Sequence, residues 1–177
     1  MMKYAAFLRG INVGGNVLVK MADLKQLLET LGFEDVQSVI ASGNVIFEAR
    51  KGDDQSIERK IEAALKKKYK RDIAVMVRSI DELRAMDKSQ PFKGVKTTKN
   101  TRLYVTFLSD KSLCIKLPEL PADLRIARIR EKDVFVVLEV TPKMKTTDSM
   151  NLMGKMFGTR ITTRNWNTVQ RILKAAA

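Results

Sequence analysis

The first 80 residues of the chain alternate between strand-like and helix-like patterns in an order that few folds accommodate. The segments are, in order, KYAAFLRGI, MADLKQLLETLGF, DVQSVIASGNVIFEA, DDQSIERKIEAALKKKYK and DIAVMVRS. The first and last have the apolar character of buried strands, and the second and fourth place apolar residues at helical spacing. The third predicts two short strands joined by a hairpin-type turn at residues 42–44. The order β-α-β-β-α-β predicts a ferredoxin-like α+β arrangement for this half.

The remainder of the chain predicts a second α+β half. A helical piece, SIDELRAMDKS, and a polar linker, KGVKTTKNT, separate it from the first half. Its predicted elements are a strand RLYVTFLS, a short helix or turn DKSLCIKL, a hairpin from LRIARIRE and DVFVVLEV, and helices near 147–157 and 165–175. This β-α-β-β-α order repeats much of the first half, so an internal duplication is plausible although the halves share no obvious sequence. We therefore predict domains at 1–80 and 101–177, joined by a helix and linker at 81–100.

Composition excludes several kinds of chemistry. The chain has no histidine and one cysteine, Cys114, which excludes Ser-His-Asp catalysis, the usual zinc sites and an internal disulfide. We accordingly expect no metal and no cofactor. No apolar run approaches the ~20 residues that span a bilayer, and the N-terminus lacks a secretory pattern, so we expect a cytoplasmic protein with no membrane partner.

The charge balance is strongly basic. The chain has 33 Lys and Arg against 20 Asp and Glu, a net charge of +13. Such a surface concentrates polyanions, of which nucleic acid is the commonest in a cytoplasm. The alternative is that the scattered lysines only maintain solubility.

A glycine-rich turn, RGINVGG at 9–15, follows the first strand, and SGN at 42–44 precedes the third. In a ferredoxin-like sheet these two strands are antiparallel neighbours, so the two motifs are expected at the same end of the sheet. The candidate anion-binding residues there are Arg9, Gly10, Asn12, Gly14, Gly15, Ser42, Gly43 and Asn44. Glycine backbone N–H groups beside a guanidinium suit a phosphate or carboxylate. Alternatively the glycines only allow tight turns, since the motif matches neither common phosphate-binding pattern.

The stretch TRITTRNWNTVQRIL near the C-terminus holds the only tryptophan. One interpretation is that Thr163 caps a terminal helix whose Trp166 packs in the core. The other is that Arg164, Asn165 and an accessible Trp166 form a platform for a base or sugar.

Together these motifs resemble a known family. RGINVGG, a leucine-rich helix with LGF, SGNVIF, SIDELRAMDKSQPF and TTRNWNT are similar to the landmarks of the bacterial domain-of-unknown-function family sixteen ninety-seven. The resemblance covers essentially the whole chain and implies a two-part α+β protein with a ferredoxin-like first half. It implies no activity, because the function of that family is unassigned. The signature positions that it implies are Arg9, Gly10, Asn12, Gly14, Gly15, Ser42, Gly43, Asn44, Thr163, Arg164, Asn165 and Trp166.

Three functions remain open at this point. The favoured one is a cytoplasmic module that binds nucleic acid or a nucleotide, although the strands lack the paired exposed aromatic residues of RNA-binding sheets. The second is a small enzyme acting on a phosphorylated or carboxylated metabolite, with Arg9 holding the anion. The third is an interaction protein whose motifs are structural joints, with Arg164 and Asn165 satisfying carbonyl groups of the glycine loop.

Overall fold

The structure, a computed structural model, describes residues 1–12, 17–110 and 119–177. Gly14, Gly15, Cys114 and the predicted helix or turn DKSLCIKL (all but its first residue) lie outside the described residues. The described elements are β1 (Met2–Leu8), α1 (Met21–Thr30), β2 (Glu34–Ser38), β3 (Asn44–Ala49), α2 (Asp54–Tyr69), β4 (Val75–Ser79), α3 (Ile80–Lys88), β5 (Thr101–Leu108), β6 (Leu124–Arg130), β7 (Asp133–Glu139), α4 (Thr146–Phe157), β8 (Ile161–Asn165) and α5 (Trp166–Ala175).

The first half has the predicted ferredoxin-like arrangement. Its sheet has the order β2-β3-β1-β4, and β1 is antiparallel to both neighbours. Helix α2 begins after Asp53, whose carboxylate accepts a hydrogen bond from the N–H of Ser56 at 3.1 Å, and its last turn carries three lysines that compensate the helix dipole. Leu24 of α1 and Ile61 of α2 pack with Phe47 of β3 in one core on one face of the sheet.

The second half repeats this strand order. Its sheet is β6-β7-β5-β8, with β5 antiparallel to β7 and β8. Met153 of α4 packs with Val134 and Leu138 on one face, as α1 and α2 do in the first half. The predicted α+β class is therefore confirmed, and the second half repeats the strand order of the first.

Strand β8 corrects the sequence-based prediction, which placed no strand between the last two helices. Its sequence, ITTRN, contains one apolar residue, so no alternating pattern announces a strand. Its backbone nevertheless pairs with β5, where Thr163 lies opposite Thr106. The cap of the last helix is Asn165, whose side chain accepts from the N–H of Asn167 at 2.9 Å, and not Thr163.

The remaining faces of the two sheets share one core. Ala5, Phe7 and Met76 of the first sheet join Val105, Phe107 and Phe135 of the second, together with buried residues of α3 and α5. The rings of Phe7 and Phe107 stack with centroids 4.2 Å apart. The sheets therefore cover each other, and the polar residues at the ends of their strands meet at the junction. Within the described part of the chain, no helix is long and apolar enough to cross a membrane.

Candidate functional site

The end of β1 and the start of β3 lie side by side, as the topology predicts. The N–H of Leu8 donates to the carbonyl of Gly43 at 2.9 Å, and Phe7 lies opposite Asn44. Gly43 has φ +79°, and a Cβ there would be 2.8 Å from Cδ1 of Ile11. A side chain at this position would be strained by both conformation and contact. The predicted closeness of the two motifs is therefore confirmed.

Asn12 holds the glycine loop against the hairpin. Its Nδ2 donates to the carbonyl oxygens of Val19 at 2.9 Å and Ala41 at 3.0 Å, and its Oδ1 accepts from the N–H of Val19 at 2.8 Å. The backbone at Asn12 has φ +57°, a conformation that asparagine tolerates better than most residues. The side-chain amide of Asn12 is thus hydrogen-bonded within the protein and does not extend from the loop towards a ligand.

Arg164 of β8 joins the second half to both N-terminal motifs. Its Nε donates to Oδ1 of Asn44 at 2.6 Å. Its Nη2 donates to the carbonyl oxygens of Leu8 at 2.6 Å and Ser42 at 3.2 Å. Its Nη1 donates to Thr162 Oγ1 at 2.7 Å and to the Thr163 carbonyl at 3.0 Å. These hydrogen bonds use all the donors of the guanidinium.

Arg9 crosses the same junction in the opposite direction, and not all of its donors are used by the residues that the structure describes. Its Nη1 donates to the carbonyl oxygen of Thr159 and, at 3.5 Å, to that of Gly158. A Cβ at Gly154 of α4 would lie 3.7 Å from Nη2, so the guanidinium extends beside that helix. Among the described residues, Nε and Nη2 of Arg9 have no hydrogen-bond partner. These N–H groups are available to a ligand.

These residues border a cleft of about 520 Å³ between the strand ends and α4, which we call the arginine cleft. Five predicted residues line it: Arg9, Gly10, Ser42, Arg164 and Asn165. Sequence reasoning missed a further set, which comes from β5, α4 and α5: Tyr104, Thr147, Met150, Asn151 and Thr168. Nothing in the sequence marks these residues, because they reach the cleft only through the packing of the second half.

The arginine cleft is electrostatically one-sided. Its described lining contains two arginines and neither an aspartate nor a glutamate. Arg164 forms no ion pair with any described carboxylate, and burial lowers its pKa to about 10. A partly buried cation without a carboxylate stabilises an anion placed beside it.

A neighbouring cavity of about 530 Å³ on the other side of Arg9 differs in this respect. It is lined by Glu62, Asp72 and Arg160 as well as Arg9. Its carboxylates are engaged, since Arg160 pairs with Glu62 at 3.1 Å and Lys66 pairs with Asp72 at 2.9 Å. The arginine cleft is therefore the better candidate for an anion.

Trp166 does not belong to this site. It is 8% exposed, and its ring meets Phe92 and Phe135 edge to face, at centroid distances of 5.5 and 6.1 Å. It directly follows Asn165, but it belongs to the core shared by the two sheets. The accessible aromatic platform considered from the sequence is thus corrected: the indole contributes to the core.

Sequence reasoning also missed two buried charged groups elsewhere between the two sheets. Glu58 of α2 accepts from the N–H of Val77 at 2.9 Å and from the Ser109 hydroxyl at 2.5 Å, and its burial raises its pKa. Arg78 of β4 is 1% exposed and pairs with Asp133 at 3.0 Å. Neither residue lies in a motif that a single sequence distinguishes.

Fold and cleft together define a two-sheet α+β protein whose halves, the first of them ferredoxin-like, meet at an arginine-lined junction. The chain belongs to the family described as "Protein of unknown function (DUF1697)", whose model matches residues 1–135. This confirms the resemblance noted from the motifs, and the match includes RGINVGG and SGN but not Arg164.

The fold has a solved counterpart. The structure is similar to that of the conserved bacterial protein SP0830 from Streptococcus pneumoniae, with 24% sequence identity, a TM-score of 0.73 and coverage of 99% of each chain. No curated protein sequence matches the chain.

Proposed function

We propose that this protein is a cytoplasmic module that binds a small anionic ligand, of about the size of a nucleotide, in the arginine cleft. The observation that carries the proposal is the lining of this cleft, where Arg9 and Arg164 lie without any carboxylate among the described residues. A volume of about 520 Å³ falls within the range of small-molecule sites.

The two arginines have different roles in this proposal. Arg164 is a positioning residue, because its hydrogen bonds to the protein are complete and it supplies charge without a free donor. Arg9 supplies the contacts, because its Nε and Nη2 groups have no partner among the described residues. The hydroxyl of Thr147 and the amide of Asn151, on α4, add uncharged polar groups to the opposite wall.

A small ligand fits this architecture better than a nucleic-acid strand. RNA-binding domains of ferredoxin-like topology stack bases on an open sheet face. Here the corresponding faces are buried against each other, with Phe7 stacked on Phe107. The net charge of +13 still attracts polyanions, but as a general field.

An enzymatic role has less support, since Tyr104 is the one ordinary acid–base group in the described lining, and it is buried.

The test is ligand-induced stabilisation at near-physiological salt, with AMP and inorganic phosphate as probes. Ligand at 100 times its Kd stabilises a protein by about 2.7 kcal/mol, which raises the Tm of a chain this size by about 5–10 °C. We expect saturable stabilisation of the wild type and its loss in Arg9→Gln.

The matched control is Arg125→Gln, which removes the same charge from an exposed position on β6 away from the cleft. Equal responses of the two variants would contradict the proposed role of Arg9. If neither AMP, nor phosphate, nor a carboxylate stabilises the wild type, the proposed function itself is contradicted.

A second candidate, an interaction protein whose signature residues are structural joints, is favoured by the complete hydrogen bonding of Arg164. Under that function no anion stabilises the protein, and replacing Arg9 or Arg164 lowers stability without removing any binding. The same melting experiments therefore separate the two candidates.

A further inference from the structure

Arg164 has an equivalent in the other half of the molecule. Arg78 of β4 and Arg164 of β8 each precede the N-cap of the following helix, at Ser79 and Asn165. Both lie in edge strands. Arg78 is opposite Ala5 of β1, and Arg164 is opposite Val105 at the corresponding position of β5. The two arginines are thus related by the repeat of strand order in the two sheets.

The contacts of the two arginines correspond as well. Arg78 donates to the carbonyl of Leu108 at 2.8 Å, as Arg164 does to that of Leu8 at 2.6 Å. The guanidinium carbon of Arg78 lies 5.4 Å from the ring centre of Phe107. That of Arg164 lies 5.9 Å from the ring of its counterpart in β1, Phe7. Each arginine therefore reaches from its own sheet onto the central strand of the other.

One difference between the partners of the two arginines is a difference in charge. The Nε of Arg78 donates to the carboxylate of Asp133 at 3.0 Å, and the Nε of Arg164 donates to the amide oxygen of Asn44 at 2.6 Å. Asp133 lies opposite Phe107 in its sheet, and Asn44 occupies the corresponding position opposite Phe7. The surroundings of Arg164 therefore correspond to those of Arg78 without the negative charge of Asp133.

The hairpin explains why position 44 carries an amide. Asn44 is 0% exposed, and its Nδ2 donates to the carbonyl of Val39 at 3.1 Å and to Oγ of Ser42 at 3.0 Å. A carboxylate could not donate to Val39. The charge that balances Arg164 must then come from outside this segment, and the arginine cleft is where it can enter.

The wall of the arginine cleft beside Arg9 and Arg164 is partly apolar. Tyr104, Ile161 and Met150 line it, and Met150 is 40% exposed. An anion with an apolar body would cover this surface.

We propose that the ligand of the arginine cleft is a carboxylate on an apolar or aromatic body, whose oxygens accept hydrogen bonds from Arg9 and whose negative charge offsets that of Arg164, as the charge of Asp133 offsets that of Arg78. This inference rests on the proposed function, and it narrows the ligand to one chemical class.

The experiment compares benzoate, acetate, benzamide, inorganic phosphate and AMP by calorimetric titration at constant ionic strength. We expect benzoate to bind at least about tenfold more tightly than acetate, because the ring buries apolar surface. Benzamide, which lacks the charge, should not bind. Tighter binding of phosphate or AMP than of benzoate overturns this inference and leaves the proposed function standing. No binding of any anion overturns both.

Two variants test the link to Arg164. Asn44→Asp supplies the missing carboxylate within the protein and should abolish benzoate binding. Because this change removes the hydrogen bond to Val39 and can impair folding, Asn165→Asp is the second variant: it keeps the helix cap and places a carboxylate on the cleft wall. We expect it to weaken benzoate binding at least about tenfold. The control is Asn165→Ser, an uncharged cap. Equal benzoate affinities of the Asn165→Asp and Asn165→Ser proteins would overturn the inference.

Discussion

At the scale of single residues, Arg9 and Arg164 both belong to signature motifs of the sequence but have different roles in the structure. Arg164 is surrounded by acceptors, and its carbonyl partners, Leu8 and Ser42, belong to the end of β1 and the hairpin before β3. Arg9 is partly exposed, and its Nε and Nη2 groups have no partner in the described part of the chain. Whether an arginine is structural or available to a ligand depends on how many acceptors the fold brings to it.

The planar geometry of Arg164 makes Arg164→Lys a demanding substitution. Lysine keeps the charge, but its three donors cannot match the fork of the guanidinium, so buried carbonyl groups lose their partners. We expect a loss of about 2–3 kcal/mol in the free energy of unfolding, measured by urea denaturation. Arg171→Lys, on the exposed side of α5, should stay within about 0.5 kcal/mol of the wild type. A similarly small effect of Arg164→Lys would show that the joint does not depend on its hydrogen bonds.

At the scale of elements, helix α2 contributes a buried carboxylate to the packing of the two halves. Glu58 connects α2 to β4 through the N–H of Val77 and to the end of β5 through the hydroxyl of Ser109. Arg160, just before β8, lies 3.7 Å from the same carboxylate. Burial raises the pKa of Glu58 above its ordinary value of 4.5, despite these partners.

The raised pKa of Glu58 predicts a pH dependence of stability. The folded protein holds this proton more tightly than the unfolded chain, so the contribution of Glu58 is fully present below about pH 4.5 and is lost as the pH rises through the folded-state pKa. Glu58→Gln removes this proton linkage. We expect the stability of the wild type, relative to this variant, to fall as the pH rises through that window in urea titrations. A parallel pH profile for the two proteins would exclude the linkage, and Glu119→Gln, which changes an exposed carboxylate, is the control.

At the scale of the whole molecule, the two halves share a core. Phe7 and Phe107 stack across the sheets, and Arg78 and Arg164 extend from each sheet to the other. The division into domains at 1–80 and 101–177 stays a prediction, and its consequence for folding can be measured. Halves that bury their apolar faces against each other should unfold together.

We therefore expect one cooperative unfolding transition. Trp166 fluorescence reports on the shared core, and far-UV circular dichroism reports on the helices of the whole chain; the two denaturation curves should coincide. Phe107→Ala should shift both curves together, with a loss of about 3–5 kcal/mol. Separate transitions for the two signals would instead indicate halves that fold independently.

Sequence reasoning recovered most of the elements but only part of the site. Long apolar periods predicted the helices and the central strands. Strand β8 was missed because four of its five residues are polar. It forms because its backbone pairs with β5, which no local sequence pattern indicates. The sequence also did not predict that Asn44 and Asp133 occupy corresponding positions, because this depends on the register of two separate sheets.

The sequence by itself determined the order of elements, the ferredoxin-like topology of the first half and the meeting of RGI with SGN at one sheet end. These follow from local periodicity and from the adjacency of strands within one sheet. Only the tertiary structure decided that Arg164 reaches those motifs from more than 100 residues away, that Trp166 is buried, and that no carboxylate lies in the described lining of the arginine cleft. Those outcomes depend on how two sheets pack face to face, which is set by side-chain fit between distant segments and leaves no periodic trace in the chain.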